Sequence, residues 1–270
     1  MKLSLKNYST LIVCLLLFIT FQEQAFAQDN SEIIYQCAPC GCDSDGKHFD
    51  KPGACASCGM QLVAVTEPFD YLKDLDQPMN VAILLFHHTQ VLDYAGPYDV
   101  FISAGAKNFN VYTVGASKEP ITTMPNLSVN PQYSIQDSPK PDILIIPGGM
   151  WTSVDDATLT WIKENSSKAE YTFSVCTGAF ILAEIGILDG LDATTHSAGI
   201  GLLEKNYPAI KKVHRNMRFV DNGNIITSAG VSAGIDASFH LIKKTLGKEW
   251  AKAIANNLEY KQETTESLNK

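Results

Sequence analysis

Four short apolar runs, at residues 81–86, 111–114, 143–146 and 173–175, constrain the fold of this chain more than any other feature. They lack the clean alternation of a strand with one wet face, and so predict strands buried on both faces. Stretches with helical spacing lie between them, at about 92–104, 153–168 and 178–185. That order is a βα repeat, which implies an α/β fold: a doubly wound, mostly parallel sheet with reactive groups at the carboxyl ends of its strands. Near the end of the chain a hairpin is predicted, residues 218–220 and 225–227 around Asp221-Asn222-Gly223. A helix over about 231–246 follows, with Lys243 and Lys244 at its negative end and Gly247 as its stop.

The last of the four runs ends at Cys176, followed at once by Thr177-Gly178. A strand that breaks into a helix there sets the sulfur at a sharp turn over backbone N–H groups with no carbonyl partner. Such surroundings favour thiolate, and helix N-termini take cysteine from about 8.5 into the range of roughly 3.5 to 7.5. Cys176 is therefore the candidate nucleophile; a buried cysteine acting as a small apolar residue is the alternative.

Residues 1–27 read as an export signal: Lys2 and Lys6, an apolar stretch over 11–21, and the small-x-small site Ala25-Phe26-Ala27. Cleavage near Ala27 predicts a periplasmic or secreted protein, and no later stretch is long and apolar enough for a membrane span. Loss of Lys2, Lys6 and Glu23 takes the net charge from −8 to −9. So acidic a surface repels phosphate backbones, which argues against nucleic-acid binding.

Residues 35–63 form a separate module and 64–79, with Pro68 and Pro78, a linker to a main domain over 80–265. The module holds five cysteines and few large aliphatic residues, so it needs a staple. Cys37-x2-Cys40 and Cys55-x2-Cys58 are two turns that each set a pair of sulfurs for one tetrahedral centre. The stretch Pro52 to Leu62, PGACASCGMQL, resembles small heavy-metal-binding domains. We expect a small zinc-ribbon-like fold with structural Zn2+ on Cys37, Cys40, Cys55 and Cys58, leaving Cys42 spare. Soft sulfur with Met60 and His48 nearby also suits Cu(I), and an oxidising compartment would allow disulfides instead.

Four blocks, VAILLFHHTQVLDYAGPYDVF at 81–101, PDILIIPGGM at 141–150, SVCTGAFILAEIGILDGLDATTH at 174–196 and ITSAGVSAGIDASFHLI at 226–242, resemble the ThiJ/PfpI family in order and content. This is the cysteine branch of the class I glutamine-amidotransferase-like, flavodoxin-like superfamily. The resemblance implies catalysis without a cofactor, with Cys176 as elbow nucleophile and Asp93, four residues before Pro97, as the acid beside the sulfur. It further implies that the N–H groups of Gly149 and Thr177 hold developing negative charge. His196 falls near the elbow, either as a proton relay or as an ordinary rim histidine.

The peptidase-like members have histidine after the elbow cysteine, where this chain has Thr177. Thr177 offers its hydroxyl either to a substrate or as a helix cap. With Asp93, that pattern looks most similar to isonitrile hydratase and to the ligand-sensing halves of AraC-type regulators. Two functions follow as expectations: hydration or hydrolysis of a small electrophile such as an isonitrile or amide, or sensing of a ligand, oxidant or metal without turnover. Relatives commonly pair, so a homodimer is expected.

Overall fold

The computed structural model describes residues 33–37, 42–44, 47–65 and 74–261; the expected export signal over residues 1–27 and Cys40 lie outside the described residues. Its centre is a seven-stranded sheet, in spatial order β13 (Phe219–Asp221), β14 (Ile225–Ser228), β10 (Tyr171–Ser174), β9 (Ile143–Ile146), β4 (Met79–Leu84), β5 (Phe109–Gly115) and β8 (Tyr133–Ser134). Every neighbouring pair is parallel except the hairpin β13–β14, and two short pairs, β6 (Ile121–Thr122) with β7 (Ser128–Val129) and β11 (Asp192–Ala193) with β12 (Lys212–Val213), lie outside this sheet. The expected doubly wound architecture is what the chain adopts. Ile143 to Ile146 are all buried, with alternate side chains entering opposite cores, which is why the run shows no polar face.

One face of the sheet is covered by α1 (Val91–Ile102), α5 (Ala233–Thr245) and α6 (Lys248–Asn257), whose Val100, Phe101, Leu241 and Ile254 share a core with Ile83 and Phe173. The other face packs against α2 (Asp156–Ser166), α3 (Gly178–Glu184) and α4 (Ile200–Asn206). The sequence predicts α2 from residue 153; it starts later because the Asp155 side chain accepts the Thr158 N–H and fixes the first turn there. Gly247, at φ 98, ends α5 as expected. The chain then re-enters a helix, α6, because Trp250, Ala251, Ile254 and Ala255 repeat at helical spacing and are all buried.

The expected linker is partly structured. Strand β3 (Val63–Val65) enters it from one end, and at the other Leu75 donates its N–H to Asn108 Oδ1 at 2.8 Å while Asn108 Nδ2 donates to Asp74 Oδ1. The cysteine-rich module is a small antiparallel sheet in which β1 (Ile34–Gln36) lies between β2 (His48–Phe49) and β3. Among the described residues no helix is long and apolar enough to cross a membrane.

Candidate active site

Strands β4, β9, β10 and β14 are neighbours, and their carboxyl ends deliver Asp93, Gly148-Gly149, Cys176 and Val231 to one place. Cys176 has the left-handed backbone angle φ 57, a conformation that costs an ordinary residue about 1–2 kcal/mol. Its surroundings impose it. The Cys176 N–H points at the carbonyls of Ser228 and Ala229 (3.2 and 3.1 Å), and the Thr195 hydroxyl donates to the Cys176 carbonyl at 2.7 Å. Two residues on, α3 begins so close to β9 that a Cβ on Gly178 would lie 2.2 Å from the Ile146 carbonyl oxygen. The predicted strand-to-helix break is thus a tight, fixed elbow.

Asp93 lies in the first turn of α1 and is fully buried. Its Oδ2 accepts the Gly148 N–H at 3.0 Å, and the carboxyl interacts with the Cys176 thiol. Oδ1 is buried with no N–H or O–H on it. Burial raises the carboxyl to about 6, against the opposing pull of the Gly148 N–H and the thiol.

The thiol moves opposite to the sequence-based expectation. Burial, and then the charge of Asp93, push it up to about 12, although the N–H groups of Thr177 and Val231 both point at the sulfur. The short helix α3 does not outweigh desolvation plus a carboxylate at the same site. The two groups titrate as a pair: a charge on either one raises the cost of ionising the other, so they share one proton around neutral pH.

A second correction concerns Gly149. Its N–H, expected to be an open oxyanion donor, donates to the Thr177 hydroxyl at 2.8 Å, and that hydroxyl in turn donates to the Gly149 carbonyl at 2.9 Å. Thr177 thus clamps the elbow to the β9 turn, and its hydroxyl caps no helix. Gly149 is required for packing: at φ 136, a Cβ would meet the His88 carbonyl oxygen at 2.1 Å. The N–H groups that face the sulfur are those of Thr177, which the resemblance assigns to developing negative charge, and of Val231, which the sequence reading missed. Val231 has φ 50, rare for a β-branched residue. The signal was there: Ser228-Ala229-Gly230-Val231 is a second abrupt strand-to-helix break, on the strand next to the elbow.

His196 is placed beside this cluster, but the neighbouring Thr195 makes the bond to Cys176. The His196 Nδ1 accepts the Ala198 N–H at 3.2 Å, and its ring packs on Gly230. Among the described residues no hydrogen bond joins His196 to Cys176. His87 and His88 are exposed.

In the module, Cys37, Cys42, Cys55 and Cys58 bring their sulfurs within 4.8 Å of one another. The expected set named Cys40, which lies outside the described residues; among the described residues the cluster includes Cys42, expected to be spare. Three separations, Cys37–Cys58 at 3.5 Å, Cys37–Cys42 at 3.7 Å and Cys42–Cys55 at 4.0 Å, match the ~3.8 Å edge of a tetrahedron with 2.3 Å metal–sulfur bonds. They far exceed the ~2.05 Å of a disulfide. The N–H of Ser44 points at Cys42 Sγ at 3.4 Å. Those of Cys58 and Ser57 point at the Cys55 sulfur and lower its thiol to about 6. Gly59, at φ 76, makes the turn that allows this. Four convergent sulfurs with N–H donors behind them fit a thiophilic metal ion.

The sequence profile of the DJ-1/PfpI family matches residues 79–244, which includes Asp93, Cys176 and Val231 and excludes the cysteine module. An isonitrile hydratase from Pseudomonas putida is 34% identical over 185 residues, 67% of this chain and 78% of that protein. The HTH-type transcriptional regulator GbdR of Pseudomonas aeruginosa is 24% identical over 68% of this chain, and only 52% of the regulator is covered. Among solved structures, a THiJ/PfpI family protein from Pseudomonas syringae superposes with a TM-score of 0.65 at 26% identity, covering 73% of this chain and 81% of that one. Drosophila melanogaster DJ-1beta superposes at 0.61 and 20% identity, covering 68% and 100%, a likeness of fold.

Proposed function

Because the chain belongs to the DJ-1/PfpI family and buries an acid beside the elbow cysteine, we propose that it is a cysteine hydratase acting on a small isonitrile. The observation that carries this reading is the fully buried Asp93 carboxyl set against the Cys176 thiol at the elbow. At neutral pH the buried carboxylate accepts the thiol proton as sulfur bonds to the terminal isonitrile carbon. Asp93 then returns that proton to the same carbon, giving a thioimidate on Cys176. Water adds to this carbon, the carbon–sulfur bond breaks, and a proton returns to sulfur. The product is the N-substituted formamide, one isonitrile plus one water. The Thr177 and Val231 N–H groups stabilise the sulfur while it is anionic.

The similarity to isonitrile hydratase supports the substrate class. We place the protein outside the cytoplasm, on the basic, apolar and Ala25-Phe26-Ala27 segments of residues 1–27, and as a homodimer by analogy with the family. The module would bind Zn2+, or Cu(I), through Cys37, Cys42, Cys55 and Cys58. Such an ion supplies cross-linking of a segment with little core; no catalytic step above runs through it. Formation of formamide from an aryl isonitrile by the wild-type protein, lost in Cys176→Ala, tests the reading. A wild type with no turnover on isonitriles would overturn it.

A second reading is a sensor that binds ligand at the same pocket without turnover, favoured by the matches to regulators. Stoichiometric ligand binding with no product formed would select it.

A further inference from the structure

The chain contains two arginines among its 21 basic residues, Arg215 and Arg218, and both line one cavity of about 320 Å3. The cavity is joined to the elbow. Thr195 and Ala229 form part of its wall, and these residues hold the Cys176 carbonyl and N–H respectively. In a chain of net charge −8 whose other cations are all lysines, two guanidiniums at one cleft whose wall holds the backbone of the elbow are not a by-product of general basicity.

The acids that accompany them are not part of the cavity wall. Arg215 Nη2 donates to Glu204 Oε2 at 2.6 Å; Arg218 Nε donates to Asp236 Oδ2 at 2.6 Å and its Nη2 to Ser232 Oγ at 3.2 Å. Neither Glu204 nor Asp236 lines the cavity. Tyr260 donates its hydroxyl to the other Asp236 oxygen, so that acid is anchored by a second partner. Each guanidinium has five N–H donors in a rigid fork, and one edge is used to fix its orientation. The donors that remain suit a planar carboxylate. The rest of the wall includes Ile200 and Met217, which suit a short apolar body. A volume near 300 Å3 is that of a small-molecule site.

We propose that this cavity seats the carboxylate end of the small molecule on which Cys176 acts, so that the substrate is an acid carrying its reactive group a short apolar distance away. The inference rests on the catalytic reading for the word substrate, while binding of the acid does not. The test uses 4-isocyanobenzoate and its methyl ester, with calorimetry on the full-length Cys176→Ala variant, where no turnover complicates binding. The acid is expected to bind at least about tenfold tighter than the ester, a preference that shrinks with salt. In the background of Cys176→Ala, Arg215→Gln is expected to remove most of that preference and Arg215→Lys to retain part of it. Arg215 is well exposed, its side chain 61% accessible, so these variants fold. Equal affinity for acid and ester, or a preference unchanged by Arg215→Gln, overturns the proposal. Acid preference without wild-type turnover keeps the anion site and sinks the catalytic reading; turnover without acid preference does the reverse.

Discussion

Cys176 and Cys55 are both buried thiols with two backbone N–H groups aimed at sulfur, yet one is pushed up to about 12 and the other down to about 6. The N–H donors are therefore not what separates them. Cys176 sits in the main core with a carboxylate across from it, so ionising it would put two negative charges in one dry site. Cys55 belongs to a thin module, and its neighbours are other thiols, which can donate to it. The elbow stores a proton to be moved, whereas the module keeps sulfur ready for a cation.

The comparison breaks if the elbow sulfur can be spared. Cys176→Ser is expected to lower formamide production by about 10⁴-fold or more, measured as kcat/KM on an aryl isonitrile. Retained turnover would show that the stored proton is irrelevant to chemistry.

Asp93→Asn separates the proton's two consequences. Loss of the base is expected to cost roughly 10²–10⁴-fold in rate. The wild-type rate should climb as pH rises through about 6, where the carboxyl ionises, and the variant should lack that limb. Stability should move the other way. Below the free-acid value of 3.8 Asp93 is neutral in both states and costs nothing; as pH rises to about 6 the unfolded chain loses its proton first, and stability falls. Above that, the penalty is about 3 kcal/mol, from 1.36 kcal/mol for each pH unit between the two values. Asn keeps an oxygen for the Gly148 N–H, so the variant should outlast the wild type in urea at pH 7.5 and match it near pH 3.5. Equal midpoints at pH 7.5 would mean the carboxyl is not strained by burial.

On the module's side, Cys42→Ser should weaken zinc binding by about 100-fold or more, read by competition with a chromogenic chelator. Cys40→Ser should change it far less. The reverse order would restore the set that the Cys-x2-Cys spacing suggests, in which Cys37 pairs with Cys40. Spacing specifies how near two sulfurs can come along the chain. It does not specify that the loop brings Cys42 to the other three sulfurs.

The same limit explains what else the sequence showed and hid. The strands were legible because Ile143 to Ile146 face two cores and have no polar side to show. The elbow was legible because Cys-Thr-Gly ends such a strand, and Asp93 because it falls in the block that contains Pro97. The direction of the Cys176 shift was not legible, since it depends on burial and on a carboxylate 83 positions away in the chain. Nor was the fate of the Gly149 N–H, which depends on a hydroxyl 28 residues later.

That hydroxyl offers the finest test. Thr177→Val keeps the shape but removes a donor and an acceptor, which leaves the Gly149 N–H and carbonyl without their shared partner. Each such bond contributes about 1 kcal/mol net. If Thr177 acts only as a clamp, the β9 turn loosens, kcat falls by about tenfold, and Thr177→Ser restores it. If the Gly149 N–H is instead needed at the reacting carbon, freeing it in Thr177→Val raises the rate. The sign of that change decides whether the glycine turn serves the elbow as scaffold or as a held-back donor, while the Cys176 thiol, whose N–H donors are Thr177 and Val231, stays pushed up in either case.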